Sequence, residues 1–211
     1  MHRPTPRNTV RTERRAFVLA LAAAGCLAAA PGQSMAASTF DLATLTALLA
    51  QVKSGEATFT ETRRIEMLDR TLESAGRLSF RAPDVFVRET LRPRREKLAV
   101  EGNTLTMSLG ERSRTMQLDA SPEAAVIVEA VRGTLTGNRQ ALERLFETAL
   151  SGNADAWTLE LVPRDARLRG QVAQVRVGGG GPVVRRVQVL LADGDRSVMT
   201  ITPVPPARAP S

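Results

Sequence analysis

The chain is poor in the side chains that most enzymes use. Its single histidine is His2, its single cysteine is Cys26, and it has no tyrosine. Both reactive residues fall inside a leader-like start. Without that leader, nothing remains to build a Cys nucleophile, a disulfide, an imidazole or thiolate metal site, or a Ser-His-Asp triad. No metal, no cofactor and no catalytic residue is expected. Carboxylates alone could still serve, as they do in glycosidases. Glu61, Glu66, Glu89 and Glu101 stand among arginines on strand-like stretches, where salt-bridged solvent faces account for them. Aromatic residues are scarce as well, with six Phe and one Trp. A core of Leu, Val, Met and Ala fills less space per residue and adapts to flexible chains.

The net charge of +7 is misleading. Arg3, Arg7, Arg11, Arg14 and Arg15 crowd the start beside one acid, Glu13, and beyond Ala36 the balance is 24 basic to 21 acidic residues. No concentrated basic face remains for a nucleic acid. The Gly178–Gly181 run precedes strand-like residues and lacks a P-loop lysine, so it reads as a flexible hairpin loop, not a phosphate cradle.

Residues 1–36 read as a secretion signal. An arginine-rich segment leads into an apolar run from Ala16 to Ala30, and Ser34-Met35-Ala36 offers small residues for cleavage before Ala37. The run is shorter than the roughly 20 residues of a spanning helix. Arg14-Arg15 resembles a twin-arginine signal, and Ala23-Ala24-Gly25-Cys26 resembles a lipobox that would anchor the chain through Cys26. A periplasmic location follows as the expectation.

The mature part is expected to form one domain over residues 37–202. Leu42, Leu45, Leu48, Leu49 and Val52 predict a helix capped by Ser38 or Thr39 and ended by Gly55. From Glu56 to Arg92 apolar residues recur every second position, at Phe59, Ile65, Met67, Leu78, Phe80, Val85 and Val87. That pattern predicts three strands with one apolar and one polar face. Hairpins around Gly102-Asn103 and Gly110-Glu111 extend the meander to about six strands. Ser121-Pro122 then opens a helix carrying Val128, Val131 and Leu135. Asn138 caps a second with Leu142, Leu145, Phe146 and Ala149 on its apolar side. About four strands follow, through Trp157, Leu159 and Leu161, then Val172 to Val177, Val187 to Leu191, and Ser197 to Ile201. Residues 203–211 read as a Pro-rich disordered tail. The fold class is mainly β with helices (α+β). A filled sandwich of sheet and helices would satisfy this order of elements, and so would a half-barrel with a cavity under a helical lid.

Phe59-Thr60-Glu61-Thr62, Gly76-Arg77-Leu78-Ser79-Phe80 with Pro83, and Leu98 to Leu105 together resemble the LolA-type periplasmic lipoprotein carriers across most of residues 39–202. The resemblance implies a half-open antiparallel β-barrel with an α-helical lid, binding acyl chains and handing cargo towards the outer membrane. It also implies partners: an acylated lipoprotein or other lipid cargo, and membrane donor and acceptor proteins. A monomer is expected. A non-transporting lipid sensor or protein-interaction module on the same scaffold is the alternative. Two departures stand out. Glu61 occupies a place where the family often has Gln, and Ala82 precedes Pro83 where the carriers place a lid-holding Arg. Arg81 comes one residue early, on the opposite face of the strand. The residues expected to line the lipid-binding cavity are Phe59, Leu78, Phe80, Leu98, Val100, Leu105, Met107, Val128, Val131, Leu142, Leu145, Trp157 and Leu159.

Overall fold

A computed structural model describes residues 40–205. The leader, Cys26, the helix-cap positions Ser38 and Thr39, and the end of the proline-rich tail lie outside the described residues.

The first helix, α1, spans Leu42–Leu49. Its cap is Asp41, whose Oδ1 accepts hydrogen bonds from the Thr44 backbone N–H at 2.8 Å and from Thr44 Oγ1 at 2.7 Å. The helix stops well before Gly55, which lies in the first strand instead. Six strands follow: β1 Ser54–Ile65, β2 Arg70–Arg81, β3 Val85–Arg92, β4 Glu96–Glu101, β5 Thr104–Leu109 and β6 Arg112–Gln117. Met67 is in none of them. It lies in the 3-10 turn between β1 and β2, 91% exposed.

Helices α2 (Pro122–Leu135) and α3 (Arg139–Leu145) come next. Pro122 at the first turn needs no N–H partner there. Asn138 caps α3 by accepting from Ala141 N at 3.0 Å. The chain then departs from the helix expected to continue to Ala149. Phe146 is already extended, and Phe146–Gly152 forms strand β7. Leu145, Phe146 and Ala149 suit a helical face, but Phe146, Thr148 and Leu150 also alternate. Pairing with the next strand decides between the two periods.

Four more strands follow: β8 Trp157–Pro163, β9 Val172–Gly180, β10 Val183–Leu191 and β11 Arg196–Val204. A short helix, α4 (Ala166–Arg169), capped by Asp165, links β8 to β9. The second half therefore has five strands where about four were expected, and its last strand takes in Pro203 and Val204. The glycine run is not a loop. Gly178, Gly179 and Gly180 belong to β9, and only Gly181 and Pro182 turn. A Cβ on Gly179 would meet Val183 O at 2.1 Å and the Trp157 ring at 2.6 Å. The glycines make room for the indole, whose Nε1 donates to Gly181 O at 3.0 Å.

All eleven strands form one antiparallel sheet, ordered β6-β5-β4-β3-β2-β1-β11-β10-β9-β8-β7. Two meanders are joined where β11 pairs with β1. The edge strands β6 and β7 do not pair with each other, so the barrel stays open, and α2 and α3 connect its two edges.

Register fixes what each face carries, because side chains alternate along a strand. Phe59 lies opposite Gly76 and Ile201, Leu78 opposite Ala57 and Arg88, and Phe86 opposite Phe80 and Val100. Continuing outward, Val100 faces Leu105 and Leu98 faces Met107. On the other side Val187 meets Val177, which meets Leu159. These residues share the face on which the helices pack. The opposite face carries Thr58, Thr60, Arg77, Glu89, Lys97 and Glu160, as expected of a sheet wet on one side, but also Val85 and Val87, which were expected on the apolar face and instead pair with Arg81 and Ser79 while Phe86 points inward.

The helix-covered face holds two unequal clusters. The larger joins Leu45 and Leu49 of α1, Val126 and Ala130 of α2, and Leu142 of α3 to Phe146, Trp157, Leu159, Leu161, Val175 and Val177. The smaller comprises Val100, Leu105 and Leu118, with Ala124, Ala125 and Val128 of α2 against it. Helix α2 thus stands on both. Gly137, after α2, has φ +64° and sits where a Cβ would lie 2.1 Å from Thr46 O, which locks this corner against α1.

Candidate functional site

All nine strand residues expected to line a cavity lie on the helix-covered face, and their degree of closure divides them. Trp157 and Leu159, with Leu142 of α3, sit fully inside the larger cluster, and Leu145 packs against it. Val100 and Leu105 form the smaller cluster, with Leu98 and Val128 at its margin. Leu78, Phe80 and Val131 are half-buried, and Met107 is exposed. Phe59 is buried between the clusters and belongs to neither. Phe86, not among the expected residues, stacks on Phe80 with ring centroids 5.2 Å apart. The expected residues thus fall into a packed portion on β8 and α3 and a partly open portion on β2 to β5.

Between the two clusters runs a polar belt that sequence reasoning misplaced. Glu61, read as part of a solvent face, lies on the helix-covered side, only 13% exposed. Its Oε2 accepts from Arg88 Nη2 at 2.5 Å and from Ser74 Oγ at 3.1 Å, and its Oε1 accepts from Ser197 Oγ. One carboxylate therefore ties β3, β2, β1 and β11 together. The Arg88 guanidinium lies over the Phe59 ring, 4.9 Å from its centroid. The signal was available: Phe59 and Glu61 are two residues apart and must share a face. Gly76 makes the room. A Cβ there would meet Glu89 O at 1.9 Å and the Phe59 ring at 2.9 Å.

The other three carboxylates lie on the outside. Glu66 pairs with Arg64 at the β1–β2 turn, Glu89 points to the outer face, and Glu101 is exposed at the β4–β5 hairpin. Among the described residues, no group of three or more His, Cys, Asp or Glu side chains could hold a metal ion.

Among the described residues, helix α2 has one charged tie to the sheet. Arg132 of α2 donates through Nη2 to Gly102 O at the β4–β5 turn, 2.5 Å away, and through Nη1 to Glu129 at 2.6 Å. Arg81, by register, is on the outer face opposite Ser54 and Val85, and it is exposed. Ala82, preceding Pro83, offers no donor from its side chain. The tie thus comes from the helix to the sheet. Beyond the smaller cluster, a cavity of about 410 Å³ opens along β4, β5 and β6, between Met107, Leu109, Arg112, Arg114, Glu96 and Arg94.

The described residues thus form an open antiparallel barrel with helices on its inner face, one half fully packed and the other partly uncovered. The chain belongs to the outer membrane lipoprotein carrier protein LolA-like family, which it matches over residues 34–203. It is similar to the solved structure of a LolA superfamily protein from Nitrosomonas europaea, at 12% identity and a TM-score of 0.44, covering 75% of this chain and 88% of that one. It is also similar to a DUF1329 family protein from Desulfovibrio piger, at 10% identity and a TM-score of 0.43, covering 77% and 89%. The Pseudomonas aeruginosa MucA/MucB complex contains a third similar chain, at 14% identity and a TM-score of 0.36, covering 79% and 56%. No curated protein matches the sequence. Among the described residues, no helix is long and apolar enough to cross a membrane.

Proposed function

We propose that the protein is a periplasmic carrier that binds an acyl chain of a lipoprotein or other lipid on its inner sheet face, under α2, and passes it towards the outer membrane. The observation that supports this reading most is the unequal filling of that face. Leu78, Phe80, Phe86, Leu98 and Met107 form an apolar surface across β2 to β5 that the helices leave partly exposed. Membership in a carrier family and the export signal expected at residues 1–36 support the same reading.

The mechanism is binding without bond chemistry. Helix α2 keeps Val126 and Ala130 in the larger cluster and lifts Ala124, Ala125 and Val128 off the smaller one, breaking the Arg132–Gly102 tie. An acyl chain replaces those contacts, each buried CH₂ contributing about 0.8 kcal/mol. Transfer then needs only a membrane acceptor that binds the chain better.

Native mass spectrometry of protein taken from its own periplasm, without detergent, tests the proposal, together with titration by a fluorescent fatty acid. Bound lipid, and fatty-acid binding lost in Leu98→Asp with the fold retained, is the expected result. A clean apo mass with no uptake of offered acyl chains would refute it.

A further inference from the structure

We propose that the open cavity on β4 to β6 is a binding site for the phosphate-bearing head of a lipid, whose acyl chain starts on Met107 and Leu109. This deepens the acyl-carrier reading and rests on it. Met107 and Leu109 lie two residues apart on β5, point to the inner face, and are 39% and 40% exposed. Neither belongs to the two packed clusters. Directly opposite them on β6 stand Arg114 and Arg112 respectively. Arg94, from the β3–β4 turn, Glu96, Ser108 and Ser113 also line it.

Three arginines and one glutamate therefore line the same cavity as Met107 and Leu109. Arg94, Arg112 and Arg114 make no ion pair among the described residues. Some arginines elsewhere on the sheet pair with carboxylates, as Arg63 does with Asp195 and Arg176 with Glu160, and others, such as Arg77 and Arg196, do not among the described residues; what sets these three apart is that they line one cavity. The volume of about 410 Å³ suits a head and the first part of a chain. Guanidinium groups match phosphate oxygens by paired hydrogen bonds. The floor selects against a bare anion, which would gain nothing from Met107 and Leu109. It also adjoins Leu98, opposite Met107, so a chain starting here continues onto the apolar surface under α2.

The test titrates the purified protein with two single-chain lipids, palmitoyl-lysophosphatidylglycerol and uncharged monopalmitoylglycerol, and with inorganic phosphate as competitor. The phosphate lipid is expected to bind more tightly. Arg112→Ser and Arg114→Ser should each weaken it about ten- to a hundredfold, the worth of one charged hydrogen bond. Binding of monopalmitoylglycerol should be unchanged in both variants, and circular dichroism should show the fold intact. Equal binding of the two lipids, unaltered in the variants, overturns the head-group site and leaves the acyl carrier standing. Displacement of the lipid by millimolar inorganic phosphate overturns the lipid assignment in favour of a plain anion site. Failure of both lipids to bind overturns both readings.

Discussion

Glu61 and Arg88 carry the most direct test of how the sheet is held at its centre. Replacing Glu61 by Leu removes the acceptor of three hydrogen bonds spanning β3, β2, β1 and β11. It also strands the Arg88 guanidinium, whose Nε already lacks a partner among the described residues. Breaking a fully buried pair costs about 3–5 kcal/mol. Arg88 keeps a third of its side chain exposed, so partial hydration brings the expected loss down to about 2–3 kcal/mol. Adding Arg88→Met removes the stranded charge and keeps an unbranched stem against Phe59. The double variant should therefore recover to within about 1 kcal/mol of the parent. Urea unfolding of the four proteins closes the cycle, with an expected coupling of about 2 kcal/mol. A coupling below about 0.5 kcal/mol, the value of a solvent-exposed pair, would refute the buried-belt reasoning.

Three further outcomes follow from single contacts. Gly137→Ala should destabilise by about 2–5 kcal/mol, from left-handed strain plus a Cβ set 2.1 Å from Thr46 O, whereas Gly181→Ala, also at positive φ but with open space around it, should cost about 1–2 kcal/mol; similar thermal shifts in the two would contradict this. Arg132→Ala should raise amide exchange across Pro122–Leu135 about tenfold while leaving β8 and β9 protected, and uniform exchange would show that the tie does not hold the cover. The Thr44 backbone N–H and hydroxyl hold the Asp41 carboxyl below the usual carboxylate range. A depressed folded-state pKa contributes stability above the unfolded value and loses it as pH falls through the folded one. Asp41→Asn should remove that acid-side dependence, and identical acid unfolding profiles would speak against it.

The sheet was legible because its two faces differ so strongly. Alternation put Phe59, Leu78, Phe80, Leu98, Val100, Leu105 and Met107 on the helix-covered side, and the turns at Asp69, Pro83 and Gly102 followed from residue type; in β3 it failed, because Val85, Phe86 and Val87 are all apolar and only pairing with β2 shows that Phe86 is the inward one. Strand β7 was not legible, since Leu142, Leu145, Phe146 and Ala149 satisfy a helical period as well as Phe146, Thr148 and Leu150 satisfy a strand. Only pairing with β8 breaks the tie, and pairing is a tertiary fact. The glycines of β9 failed for a related reason: their role is the room they leave for Trp157, more than twenty residues earlier. Glu61 was a different kind of miss. Its parity with Phe59 already placed it on the apolar face, and residue type was allowed to outweigh position. Arg132 could be found only through Gly102, thirty residues before it in the chain.

The unequal clusters also decide where the molecule can move. Helix α2 gives Val126 and Ala130 to a cluster that includes α1, α3 and four strands, and gives Ala124, Ala125 and Val128 to three buried residues on the other side. Burial of apolar area scales the cost of separation, so the second contact opens first and the first acts as the pivot. Under the carrier reading, opening would expose the surface that leads from Leu98 to Met107 and on to the arginines of β6. In the proposed carrier the stable half would fix the helix, the weak half would admit a chain, and the charged belt at Glu61 lies between them. A carrier needs that division. A barrel filled evenly along its length would hold its helices too firmly to exchange them for cargo, and one empty throughout would have no cluster to fold around.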